Sequence, residues 1–152
     1  MKKVMLDECI TQQCARAVVA CLKLEHSIID AYFLCDYLNK SGEKDCDWAD
    51  MLIPPSDWIV ISSDCGTHGP RVYAKGPPLP EILPKKGITG FFLAGKTLTQ
   101  AKGAERARAI ISKMPQILSL ADTAEPGQRF KITMSGNGIV VARWDRRPSR
   151  PT

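Results

Sequence analysis

The chain has 152 residues, 44% hydrophobic and 24% charged, a balance that excludes a disordered or fibrous protein and fits one domain over residues 3–145. No run reaches the ~20 apolar residues of a membrane helix, and the N-terminus enters strand pattern without the layout of a secretory signal, so a cytoplasmic protein is expected. The net charge of +5 is unevenly spread: residues 1–64 carry 11 acids against 6 lysines and arginines, residues 65–152 carry 5 against 15. An acidic first part beside a basic second part suits a polyanion met through a bridging cation, with nucleic acid as the first candidate and a merely solvated surface as the plain alternative.

In chain order, Val4, Met5 and Leu6 form a short apolar run that ends in Asp7 and Glu8, a strand over residues 3–7 closed by two acids. Thr11 can cap a helix whose apolar face holds Cys14, Ala17, Val18, Cys21 and Leu22. Residues 27–33 read as a second strand with Asp30 awkwardly central, and residues 39–44 as a polar turn around Gly42. A helix is expected from Asp45, its N-cap, to about Ile53, where Pro54 and Pro55 stop it, with Trp48 and Leu52 buried.

Residues 58–63 are nearly all apolar, as in a central parallel strand, and Asp64 closes them. Glycines and prolines make residues 65–84 loop-like, with room for a helical turn at 80–83. A strand at 89–94 precedes a helix from about Thr99, with Ala101, Ala104, Ile110, Ile111 and Met114 inward and Pro115 kinking or ending it. Residues 131–134 and 139–144 read as a terminal hairpin, and 146–152 as a basic, mobile tail.

Alternating strands and helices imply an α/β fold: a mostly parallel sheet with helices on both faces, ending in an antiparallel hairpin. Asp7, Asp64 and the helix start with Asp45 and Asp47 then share the carboxyl edge of the sheet, where open α/β sheets place their functional crevice. Clustered carboxylates repel unless a cation sits among them, and Mg²⁺ or a similar hard ion can activate water toward a phosphodiester. The plain alternatives are that Asp45 only caps a helix and Asp64 only starts a turn.

Three motifs, Leu6-Asp7-Glu8 after the first strand, Asp45-x-Asp47-Trp48 opening a helix, and Ser62-x-Asp64 after a buried strand, resemble the PIN-like domain of VapC-type toxins. The resemblance spans residues 3 to about 120 and implies a metal-dependent ribonuclease using Mg²⁺ or Mn²⁺, paired with an antitoxin protein and forming a homodimer. It carries the first-strand acid to Asp7, the helix acid to Asp45 with Asp47 as competitor, and the later strand acid to Asp64, which makes Asp7, Asp45 and Asp64 the metal ligands. A fourth acid shortly after Asp64 is missing, and Glu8 or Glu81 is the substitute on offer.

Two readings stand beside it: a receiver-like phosphoacceptor domain, with Lys96 as its lysine, and a catalytically silent PIN-like binding module. Arg71, Lys85, Lys86, Lys102 and Arg106 are the candidate RNA contacts, although these cations equally keep a surface soluble. The two histidines, His26 and His68, and six cysteines without a Cys-x-x-Cys pair argue against zinc. Cys9, Cys46 and Cys65 each follow a candidate acid, Glu8, Asp45 and Asp64, and are expected to be packing residues in its neighbourhood.

Overall fold

Side-chain alternation along three short apolar runs decides the architecture. In β1 (Lys3–Leu6), Val4 and Leu6 point to one face and Met5 to the other, and all three are fully buried. The same alternation recurs in β3 (Trp58–Ser62) and β4 (Thr89–Leu93), so both faces of the sheet must be covered. The computed structural model describes residues 2–25, 30–66, 76–95, 98, 100–135 and 138–144.

With β2 (Asp30–Phe33), β5 (Arg129–Ser135) and β6 (Gly138–Arg143), these strands form one sheet in the order β2-β1-β3-β4-β5-β6. Every neighbouring pair is parallel except β5 and β6. The chain steps outward from β1 to β2, then returns past β1 to β3 and continues the other way. The strand order therefore reverses between β1 and β3, the position at which doubly wound sheets open a crevice at their carboxyl ends.

The larger core lies under α1 (Gln12–Glu25) and α5 (Gly103–Thr123), with Phe91 and Phe130 stacked at 4.7 Å in it. The second core lies under α2 (Leu34–Leu38), α3 (Asp45–Ala49) and α4 (Leu79–Lys85), around Trp48, Trp58 and Phe92. Gly90 lets α4 sit close on β4: a Cβ there would stand 2.6 Å from Phe92 Cε2 and 3.1 Å from Leu83 Cδ1.

Several local expectations are corrected. Lys44, not Asp45, is the N-cap of α3; Asp45 is the first helical residue, and its carboxylate accepts the Trp48 indole N–H instead. The helix also ends at Ala49, and turns carry the chain to the prolines. Asp30 does not interrupt β2 but begins it, exposed. Residues 34–38 form a helix not expected from so short a segment.

Pro115 neither ends nor shortens α5, which continues to Thr123 because Met114, Ile117 and Ala121 bury against the sheet on both sides of it. Ala17 and Ala104 face solvent, whereas Ala15, Ala107 and Ala109 take inward places. The tail and residues 27–29 lie outside the described residues.

Candidate functional site

The carboxyl ends of β1 and β3 meet directly: the Asp7 N–H donates to Ile61 O at 3.0 Å, tying the residue after one strand to the other. Parallel pairing of these strands then puts Asp7 and Ser62 side by side. Ser62 is fully buried and its Oγ donates to Asp7 Oδ2 at 2.8 Å. The Cys9 thiol donates to the same oxygen at 2.9 Å, and the Glu8 N–H to Asp7 Oδ1 at 2.8 Å. Cys9 is exposed as a residue, but its sulfur lies 3.0 Å from Ser62 Oγ and accepts the Ser63 N–H at 3.2 Å.

Asp7 is only 4% exposed, and burial first, then the charge of Asp45, push its pKa up to about 6 against the pull of those donors. Asp45 is itself raised, by burial and then by the charges of Asp64 and Glu8, with the Trp48 N–H opposing at 3.0 Å. Burial, joined by the Asp7 charge and hydrogen bond, drives the Cys9 thiol far above its usual range.

Asp64 is buried by a local turn and by the neighbouring helix. Its N–H donates to Ser62 Oγ at 3.0 Å, while its carboxylate accepts the Gly66 N–H at 3.0 Å and the Leu79 N–H, at the start of α4, at 3.2 Å. Glu8 accepts the Gly42 N–H at 3.2 Å and the Cys35 thiol at 3.4 Å. Asp45 thus falls within electrostatic reach of Asp7, Glu8 and Asp64 at the switch point. Asp47 does not join them; it is exposed, with its carboxylate toward Cys46 Sγ at 3.7 Å. Glu81 is exposed in the first turn of α4.

The donor chemistry fits a hard divalent ion: buried and half-buried carboxylates, each held in orientation by N–H, O–H or S–H donors. Among the described residues no three His, Cys, Asp or Glu side chains stand close enough to enclose one ion. An ion here would therefore rest on one or two carboxylates, the usual number for Mg²⁺, with water and phosphate oxygens completing its shell.

The sequence-selected cations divide between the two edges. Lys102 caps α5 and Arg106 lies in its first turn, beside α1 at the acidic edge: a Cβ on Gly103 would stand 3.9 Å from Thr11 Oγ1. The α4 helix starts at Asp64 and runs away from it, so Lys85 and Lys86 lie at the opposite edge, where Lys86 pairs with Asp50. Arg71, His68 and Lys96 lie outside the described residues.

Of the three thiols expected near the acids, Cys9 touches one, Cys65 donates instead to Leu93 O at 2.7 Å, and Cys46 faces Asp47. Cys35, which no sequence motif singles out, reaches Glu8 from α2. No protein-family model, curated protein or solved structure matches the chain.

Proposed function

We propose that this protein is a divalent-metal-dependent ribonuclease of the cytoplasm, PIN-like in type, resembling the toxin of a VapBC-type pair and answered by an antitoxin protein. One observation carries the reading. Asp7 is buried at the switch point with a pKa of about 6, raised in part by Asp45, and Asp45 is raised in turn by Asp64 and Glu8. Carboxylates arranged to repel one another make a site that a cation stabilises.

Mg²⁺ or Mn²⁺ held by one or two of Asp7, Asp45 and Asp64 would polarise a phosphodiester and lower the pKa of an attacking water. The chain's own groups orient the ligands: Ser62 and the Glu8 N–H fix Asp7, Trp48 fixes Asp45, and the Gly66 and Leu79 N–H groups fix Asp64. The test is cleavage of mixed RNA with Mg²⁺ or Mn²⁺ and with chelator. Metal-dependent cutting that disappears in Asp7→Asn supports the reading, and equal cutting with and without metal overturns it.

A second reading has its own support in the strand order. The parallel part of the sheet runs β2-β1-β3-β4-β5, the order of flavodoxin-like folds, to which receiver domains conform. In a phosphoacceptor, Asp64 would be the acceptor at the end of β3. Both of its oxygens already take backbone N–H groups and it is 8% exposed, which disfavours in-line attack on a phosphodonor. Acid-labile phosphate on Asp64 after incubation with acetyl phosphate would favour this reading. Neither cleavage nor phosphate uptake would leave a silent binding module.

A further inference from the structure

The terminal hairpin has two unlike faces. Phe130, Ile132 and Val141 bury in the larger core, so Arg129, Lys131, Thr133, Val140, Ala142 and Trp144 face the other way. On that side α4 packs on β4, and among the described residues no side chain of β5 or β6 is buried in the second core. Val140 is 42% exposed and Ala142 is exposed, so this part of the sheet is open.

Across the open face lies one aromatic ring with two cations close to it. The Trp144 backbone N–H donates to Arg129 O at 2.9 Å, which fixes the residue beside β5, and its ring meets Phe92 of β4 edge-on at 5.5 Å. The Arg129 guanidinium lies 4.5 Å from the indole centroid and Lys131 Nζ lies 4.4 Å from it. Among the described residues Lys131 has no carboxylate partner.

This face adjoins the acidic end of the sheet through Cys65. Cys65 follows Asp64 and donates its thiol to Leu93 O at 2.7 Å, and Phe92 and Leu93 pair with Lys131 and Ile132 of β5.

A strip with cations, an aromatic ring and exposed Val140, but no acid among its described side chains, suits single-stranded nucleic acid, whose phosphates track cations and whose bases stack on aromatic faces. We propose that Lys131, Arg129 and Trp144 form the platform that holds single-stranded RNA and leads it to Asp64. The proposal rests on the ribonuclease reading and names the surface that reading needs. It replaces Lys85 and Lys86, which stand at the far edge, as the principal contacts.

The test is binding of a fluorescein-labelled single-stranded 12-mer RNA to the full chain in chelator, followed by anisotropy over a range of salt. Lys131→Ala is expected to reduce the slope of log K against log salt by about 0.7, the increment of one phosphate contact. Trp144→Ala is expected to weaken binding about tenfold or more through lost stacking, and Trp144→Phe, which keeps a ring for Phe92, to recover most of it. Lys85→Ala/Lys86→Ala should leave the slope unchanged.

An unchanged slope in Lys131→Ala, a changed slope in the double lysine variant, or no binding by the unaltered chain would each overturn the proposal. So would a dimer in sedimentation that Val140→Asp dissolves, because a second copy would then occupy the face. Because binding is read without metal, RNA held on this face but never cut would sink the nuclease reading and leave the platform standing.

Discussion

At the scale of single residues, Asp7 links folding to the proposed chemistry. Its pKa of about 6 in the folded chain stands above the ordinary 3.8, so folding favours its protonated form. The sign follows: its contribution to stability is fully present below pH 3.8 and is lost as pH rises through about 6. The loss at neutral pH is at most about 3 kcal/mol, since each tenfold change in proton affinity corresponds to about 1.4 kcal/mol. Asp7→Asn should therefore be more stable than the unaltered chain above pH 6, by about 1–2 kcal/mol in urea unfolding with chelator, and should lose this advantage toward pH 4. An advantage independent of pH would show that the carboxylate charge is not the cause.

Ser62 tests the opposite side of the same contact. Ser62→Ala removes a donor to Asp7 and leaves the buried Asp64 N–H without its acceptor, at a cost of about 1–3 kcal/mol in the same unfolding measurement. A loss below about 0.5 kcal/mol would mean that the hydroxyl does not organise the two acids. Ser62 stood out only as part of the Ser62-x-Asp64 motif that carries the resemblance, and its bond to Asp7 needs the register of β1 with β3. The Cys9 contact was not legible. It depends on the chain turning sharply after β1 and on the register with β3, which no local pattern encodes.

At the scale of elements, the legible ones were those whose burial repeats along the chain. β1, β3 and β4 stand close to their expected bounds because unbroken apolar runs have few alternatives to a central parallel strand. The α2 helix is only five residues long, too short for a helical period to emerge, and it is held by the burial of Leu34 against the second core. Propensity also misled at Pro115, where packing on both sides outweighs one lost backbone bond.

The junction of α4 with β4 is a more demanding place. Gly90→Ala would drive a methyl into the Phe92 ring and Leu83, so it should cost about 1–3 kcal/mol by overpacking. Because α4 carries the Leu79 N–H that holds Asp64, the same substitution should also lower RNA cleavage. Gly138→Ala is the control: nothing lies within 4 Å of its Cβ, and stability should stay within about 0.5 kcal/mol. Equal effects of the two substitutions would contradict the close packing of helix on strand.

At the scale of the whole molecule, the charge division visible in the sequence acquires a geometry. The acids of the first part gather where the strand order reverses, and hairpin lysine Lys131 of the second part stands level with Ser62 across β4 in the strand register. The fold class followed from the alternation of elements, but the place of the acids needed the crossover from β1 to β2 and back, a long-range choice. If that gathering is a cation site, Mg²⁺ or Mn²⁺ should raise the melting temperature, because an ion bound only by the folded chain adds about 2.7 kcal/mol at a hundred times its dissociation constant. For a chain of this size each kcal/mol moves the midpoint by about 2–4 °C, so a rise of several degrees is expected. Asp45→Asn keeps an acceptor for the Trp48 N–H and Asp7→Asn keeps one of the two acceptor oxygens of Asp7, so both should remain folded, yet each should lose most of the metal-induced rise. Sodium at matched ionic strength separates general screening from binding, since it should give little rise in any of the three proteins. The same rise with Mn²⁺ in the unaltered chain and in both variants would place the ion elsewhere on the molecule and remove the acidic edge as its site.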